Sequence, residues 1–451
     1  MLMKKQTDLT HAPIMRALIL FAIPIFISTI FQQLYNAADT TIVGNFLGEN
    51  ALAAVGSTAA VFELIVGFAL GIGNGMSIVT ARFFGANDLN RVRQSAAHAI
   101  MVGVGISLMV MIIGHFGLHP LLQTLHTPAE IIDQAFSYIY IILMFVSVTF
   151  AYNLGAGLLR AIGNSVVPLI ILVIASIINI VLDIVFITQL HTGIQGAAYA
   201  TVIAQLFSAV SCFTYIYFKA PTLLPHQNDF KIDEALLKEL LAQGLSMGFM
   251  SSIVSIGSVI LQTSVNQFGP LIIAAQTTAR RVQFFFLMPI TSFGTALTTF
   301  VSQNFGAKQY ARIRKAINYA FKCSMIWGVF VALLMYVVAE PLIIFISGST
   351  HPVLVETAKT YIFIATPLFC VLGILLCLRN ALQGLGQKIQ PLISSIIELV
   401  GKILFVLLIV PHMGYLGIML CEPIIWVVMT TQLAYSFYRN PFIRSTASKK
   451  I

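Results

Sequence analysis

Apolar stretches long enough to cross a bilayer follow one another along almost all of the 451 residues, and that succession limits the fold more than any motif does. A transmembrane helix needs about 20 mostly apolar residues to cross a hydrocarbon core of about 30 Å. Breaking the sequence at Gly, Pro, Asn and charge clusters gives spans near 14–40, 51–81, 92–116, 129–155, 165–189 and 194–218. A second six follow near 235–266, 271–303, 311–338, 353–383, 389–410 and 415–438. Only 9% of residues are charged, against roughly 25% in a soluble domain. The sequence therefore predicts an all-α polytopic membrane protein of twelve helices in the lipid bilayer, with little chain left for a soluble catalytic domain. Lys4 and Lys5 precede the first span, but that span is long for a signal peptide and lacks a small-residue cleavage site, so it is expected to stay.

The placement of charge gives orientation. A net charge of +9 would suggest nucleic acid only if the basic residues formed one exposed face, and here they occupy short alternate connectors, so no nucleic-acid partner is expected. Those segments carry Lys4 and Lys5; Arg91 and Arg93; Arg160; Lys219 and Lys231; Lys308, Arg312, Arg314 and Lys315; Arg379 and Lys388; then Arg439, Arg444, Lys449 and Lys450. Lys359 is the nearest exception. Basic loops stay on the cytoplasmic side, so both termini and the central connector are expected there, in a multi-pass plasma membrane protein. The connector at 219–239 is the most polar and divides an N-terminal six-helix bundle, 1–218, from a C-terminal one, 240–451.

The halves resemble each other. Phe84-Gly85-Ala86 with Arg91-Val92-Arg93 recurs as Phe305-Gly306-Ala307 with Arg312-Ile313-Arg314, 221 residues later. Gly48, Ala53-Ala54 and Gly73 match Gly269, Ala274-Ala275 and Gly294 at the same displacement. Gly163 and Pro168-Leu169-Ile170 match Gly386 and Pro391-Leu392-Ile393 at 223. A constant register points to duplication, and six spans per half imply two bundles related by a pseudo-two-fold axis along the membrane normal.

The segment Tyr35-Asn-Ala-Ala-Asp39-Thr-Thr-Ile-Val-Gly44, with Leu47-Gly48 and Ala51-Leu-Ala-Ala-Val-Gly56 after it, resembles the opening motif of the multidrug and toxic compound extrusion family. The repeated Phe-Gly-Ala-x4-Arg-x-Arg connectors and the Arg160 to Pro168 segment extend the likeness over essentially the whole chain. The resemblance implies a V-shaped pair of bundles, a central cavity opening alternately to each side, and export driven by a proton or sodium gradient.

Ionisable residues inside a membrane are costly and are functional candidates by default. Asp39, Glu63, Asp183, Glu398 and Glu422 qualify. From the helical rise, Asp39 lies about 35 Å beyond Arg16, Asn179 and Asp183 about 16 and 22 Å beyond Pro168, and Thr201 about 12 Å below Gly193. All four thus fall in the outer half of the first bundle. Asn179 and Asp183 share a helix face, and Ser28, Gln32, Tyr35 and Asp39 form a polar stripe on span one. Carboxylate, amide and hydroxyl oxygens suit a small hard cation such as Na⁺, and paired carboxylates equally suit a shared proton. The bland alternative is interhelical hydrogen bonding. The family resemblance carries an ion- or proton-linked role onto Asp39, Asn179, Asp183 and Thr201. Another branch of the family uses acids in the seventh and tenth spans, and this chain has none between Leu241 and Asn266 or between Tyr361 and Gln383. In the repeat Asp39 matches Ile260 and Asp183 matches Val406, so coupling is expected in the first bundle alone.

Gln32, Tyr35, Arg280, Phe284 and Met288 are the candidates for a substrate cavity, since aromatic and Met side chains repack around varied ligands. Glu398 and Lys402, four apart, are expected to neutralise each other. Gly71-Ile-Gly73-Asn-Gly75 lies in an apolar helix and reads as packing rather than a phosphate loop. His115, His119 and His126 lack the carboxylates a metal site would add, and the five cysteines form no C-x-x-C pair and read as small core residues. Neither a bound cofactor nor a catalytic constellation is expected. The reading is a monomeric secondary antiporter exporting amphipathic or cationic compounds in exchange for H⁺ or Na⁺. A flippase for lipid-linked precursors is the alternative, although an anionic headgroup favours several embedded cations.

Overall fold

Lipid offers no hydrogen bonds to a backbone, so apolar segments of this length can satisfy their peptide groups only as helices. The computed structural model describes residues 6–124 and 127–448, leaving Lys4, Lys5, His126, Lys449 and Lys450 outside the described residues. Among the described residues eleven helical stretches can span a bilayer, and a bent pair makes the twelfth. The first half comprises α1 (Ile14–Leu47), α2 (Glu49–Gly85), α3 (Leu89–Thr124), α4 (Ile132–Met144), α5 (Val146–Ala161), α6 (Val166–Ile184) and α7 (Ile194–Lys219). Helices α4 and α5 bend by 49° at Phe145 and form one span. The second half comprises α8 (Glu234–Val265), α9 (Pro270–Gly306), α10 (Tyr310–Ser347), α11 (Pro352–Ala365), α12 (Phe369–Gly384), α13 (Ile389–Leu404), α14 (Val410–Met413), α15 (Tyr415–Arg439) and α16 (Pro441–Ser448).

The duplication is visible in the backbone itself. Helices α2 and α9 both contain 37 residues and both follow a glycine of positive φ, Gly48 at 84° and Gly269 at 87°. Asn87 and Lys308 each take φ of 58° between the next two helices. Both α6 and α13 run into a π-helical turn, Val185–Gln189 and Phe405–Ile409.

The chain forms two compact units. One holds Met1–Ala12 and Leu20–Ser252, and the other holds Pro13–Ile19 and Ile253–Ile451. In the first, the opening half of α8 packs onto α2 through small residues. A Cβ on Gly71 would lie 2.6 Å from the Met247 carbonyl, and one on Gly75 would lie 2.6 Å from that of Gln243. Such close approach gives membrane helices the van der Waals contact that water cannot drive, so the glycine run is indeed a packing surface. The connector is held to the same unit by ion pairs, Arg82 to Glu239 at 2.5 Å, Arg91 to Asp233 at 2.5 Å and Arg93 to Asp229 at 3.5 Å. The Leu236 backbone N–H and the Arg91 guanidinium hold the Asp233 carboxyl below its ordinary range.

In the second unit α10 and α12 meet over Ser324, Gly328, Gly373 and Cys377, where a Cβ on Gly373 would lie 2.6 Å from that of Ser324. Cys377 Sγ sits 3.4 Å from Ser324 Oγ, in the small-residue role expected of it. Cys212 and Cys421 are likewise buried and all five thiols are free.

Candidate cation-coupling site

Four helices of the first unit bring their polar faces to one small cavity. Gln32 and Tyr35 come from α1, Tyr152 from α5, Ser176 and Asn179 from α6, and Thr201, Gln205 and Ser208 from α7. Its volume is about 40 Å³, above the roughly 10–15 Å³ that one water requires. One helical turn beyond Tyr35 and Asn179, the Asp39 and Asp183 carboxyls stand close enough to feel each other's charge. The structure thus gathers Asp39, Asn179, Asp183 and Thr201, with exposures of 8%, 1%, 0% and 3%.

Most neighbouring polar groups are already occupied. Ser176 and Ser208 donate to the carbonyls of Leu172 and Ala204, at 2.8 and 3.0 Å. Thr149 donates to Gln205, and Ser28 to the Pro24 carbonyl at 2.8 Å. The acids differ: Asp39 Oδ1, both Asp183 oxygens and both polar atoms of the Asn179 amide are buried with no hydrogen-bond donor or acceptor facing them. Leaving such groups unsatisfied costs free energy comparable to a lost hydrogen bond or more. Two carboxylates, an amide carbonyl and a hydroxyl are the oxygen donors that a proton or a hard monovalent cation would satisfy.

Tyr138 and Tyr152 escaped the sequence reading. Tyr35 and Tyr138 lie in the field of both acids, and Tyr138 is only 4% exposed. Nothing in the apolar run around Tyr138 distinguishes it from an ordinary core aromatic, whereas Tyr35 stood on the α1 polar stripe.

The remaining candidates lie in the second unit. Met288 is buried, Phe284 is exposed, and Arg280 Nη2 lies 3.2 Å from Glu422. The expected Glu398 to Lys402 pair forms at 3.0 Å, and Lys402 also lies 3.3 Å from Glu422. Arg379 reaches Glu398 at 3.8 Å. His115 Nδ1 bonds to the Tyr140 hydroxyl at 2.8 Å and His119 packs edge-on against Phe136. Among the described residues no three His, Cys, Asp or Glu side chains are grouped to hold a metal ion.

The MatE family model matches residues 24–185 and again 247–408, one copy in each repeat. The chain belongs to the MatE family of membrane transporters. The probable multidrug resistance protein YoeA of Bacillus subtilis (strain 168) is 26% identical over 94% of this chain and 93% of its own length. The FAD transporter of Shewanella oneidensis MR-1 is 25% identical over 94% of both. A crystal structure described as MATE in the bent conformation superposes with a TM-score of 0.90, covering 99% of both chains at 23% identity. The twelve-helix architecture read from the sequence is that of this family.

Proposed function

We propose that the protein is a secondary antiporter that exports amphipathic or cationic organic compounds in exchange for H⁺ or Na⁺ by alternating access. The observation that carries this reading is the buried Asp39 and Asp183 pair with no donor to satisfy it. Two adjacent carboxylates in a low-dielectric site disfavour joint ionisation, so the empty site is unstable when closed and is relieved by one cation. A site opening to one side releases that cation, and a site opening to the other recovers it. Because coupling is reciprocal, substrate binding then shifts the affinity for the cation by the same factor as the cation shifts that for substrate. Multidrug efflux is supported by the name of the Bacillus relative. The reading includes a monomer in the plasma membrane with both termini in the cytoplasm.

The test is export from proteoliposomes under separately imposed proton and sodium gradients, with a cationic dye and a flavin dinucleotide as alternative cargoes. One gradient should drive accumulation of the dye against its own gradient. Transport equal with and without any gradient would indicate a passive pore, and accumulation of lipid-linked precursors on depletion would favour the flippase.

A further inference from the structure

Two of the four positions of the proposed cation site recur in the second unit with charged residues, while those of Asp39 and Asp183 are taken by Ile260 and Val406. Two glycines of positive φ pin the register where α6 and α13 begin, Gly163 at 86° and Gly386 at 76°. Pro168 and Pro391 follow at the same spacing, and eleven residues further along the same uninterrupted helices stand Asn179 and Lys402. Another pair, Gly193 at 62° and Gly414 at 59°, precedes α7 and α15, and eight residues beyond stand Thr201 and Glu422. The counterparts of two polar residues of the first site are therefore a lysine and a glutamate. They touch: Lys402 Nζ lies 3.3 Å from Glu422 Oε1 and 3.0 Å from Glu398 Oε1.

We infer that the Lys402 ammonium is a tethered stand-in for the exchangeable cation, so that the second unit contains a monovalent-cation site that is permanently filled. Its chemistry is like that proposed for the first site, two carboxylates, here half-buried, meeting at one enclosed positive charge. Lys402 is 2% exposed at its side chain, as an ion enclosed by protein would be, while Glu422 and Glu398 are 13% and 15% exposed. Gly257 of α8 makes room for the lysine stem, since a Cβ there would lie 3.1 Å from Lys402 Cδ. A covalently held cation cannot be exchanged between the two sides of a membrane, so this unit would be locked in its loaded state and coupling left to the other. Other groups face the same acids. Arg280 from α9 approaches Glu422 Oε1 at 3.2 Å, Arg379 from α12 lies 3.8 Å from Glu398, and Tyr361 from α11 stands near Glu422. The arginines compete with a free cation for the acids, which sets the design of the test.

The inference uses the proposed coupling site as its template, and the experiment is independent of whether that site couples transport. Asp39→Asn and Asp183→Asn are combined to silence the first site, and Lys402→Asn, the residue found at the matching position, is added with and without Arg280→Gln. Thermal unfolding of the purified protein is followed at constant ionic strength while Na⁺ or methylammonium replaces choline, and separately as the pH is lowered. The Asp39→Asn, Asp183→Asn background should not respond. Adding Lys402→Asn should give a saturable upward shift with at least one of the three cations, larger when Arg280 is also replaced, and Lys402→Arg should give none. Folded Lys402→Asn proteins indifferent to all three cations would reduce Lys402 to an ordinary structural ion pair. The same conclusion follows if Lys402→Asn protein cannot be recovered in any of the three conditions while Lys402→Arg folds.

Discussion

The first unit buries Asp39 and Asp183 with three of their oxygens unpartnered, whereas the second sets the half-buried Glu398 and Glu422 against Lys402, Arg280 and Arg379. One helical framework, repeated in sequence, thus holds an unsatisfied pair of acids in one copy and a neutralised pair in the other. On the proposed reading, the difference separates a site for an exchangeable cation from a structural ion cluster. A buried acid with its cation built in loses much when that partner is removed, but it gains nothing from a gradient. A buried acid without a partner costs stability until a cation arrives, which is what lets a gradient do work through it.

The comparison breaks most visibly with charge-removing substitutions in the first unit. Asp39→Asn and Asp183→Asn keep side-chain size and remove titration, and each should reduce gradient-driven accumulation by about a hundredfold, the upper range of typical coupling energies. Their folding should be unharmed, because amides satisfy the site better than adjacent carboxylates do. In the second unit the effect should be reversed. Glu422→Gln leaves Lys402 short of a partner, and it should lower stability by about 3 kcal/mol, read as a lower unfolding midpoint. The protein that remains folded should still couple export to the gradient, as should Glu398→Gln. Smallest of the three is the effect of Pro24, which lies inside α1 fifteen residues before Asp39 and leaves the Leu20 carbonyl without its helical partner. Pro24→Ala should slow transport by about two- to tenfold with unchanged expression, if bending of α1 belongs to the cycle. Equal losses of transport and expression would make the proline purely structural.

Much of this was legible in the sequence because the physics is local. Span lengths follow from hydropathy, the duplication from a fixed displacement of Gly, Pro and Arg residues, and the Asn179 and Asp183 face from a spacing of four. The Glu398 and Lys402 pair could be read in the same way. What the sequence withheld was contact between distant elements. Glu422 stands alone in an apolar helix, and only packing of α9, α13 and α15 shows that Arg280 and Lys402 meet it. Arg379, counted in the sequence as a connector charge, has its side chain 11% exposed and directed at Glu398. Tyr138 joins the acid site through the position of α4, which no spacing in the sequence encodes.

The most direct measurement separates binding of cargo from its coupling to the gradient. Purified Asp183→Asn protein in proteoliposomes is assayed for exchange of labelled against unlabelled cargo at equilibrium, and for accumulation of the same cargo under an imposed proton or sodium gradient. The account predicts retained exchange with accumulation lost. Wild-type accumulation in both Asp183→Asn and Asp39→Asn would contradict it and transfer the coupling role to Glu63, Glu398 or Glu422.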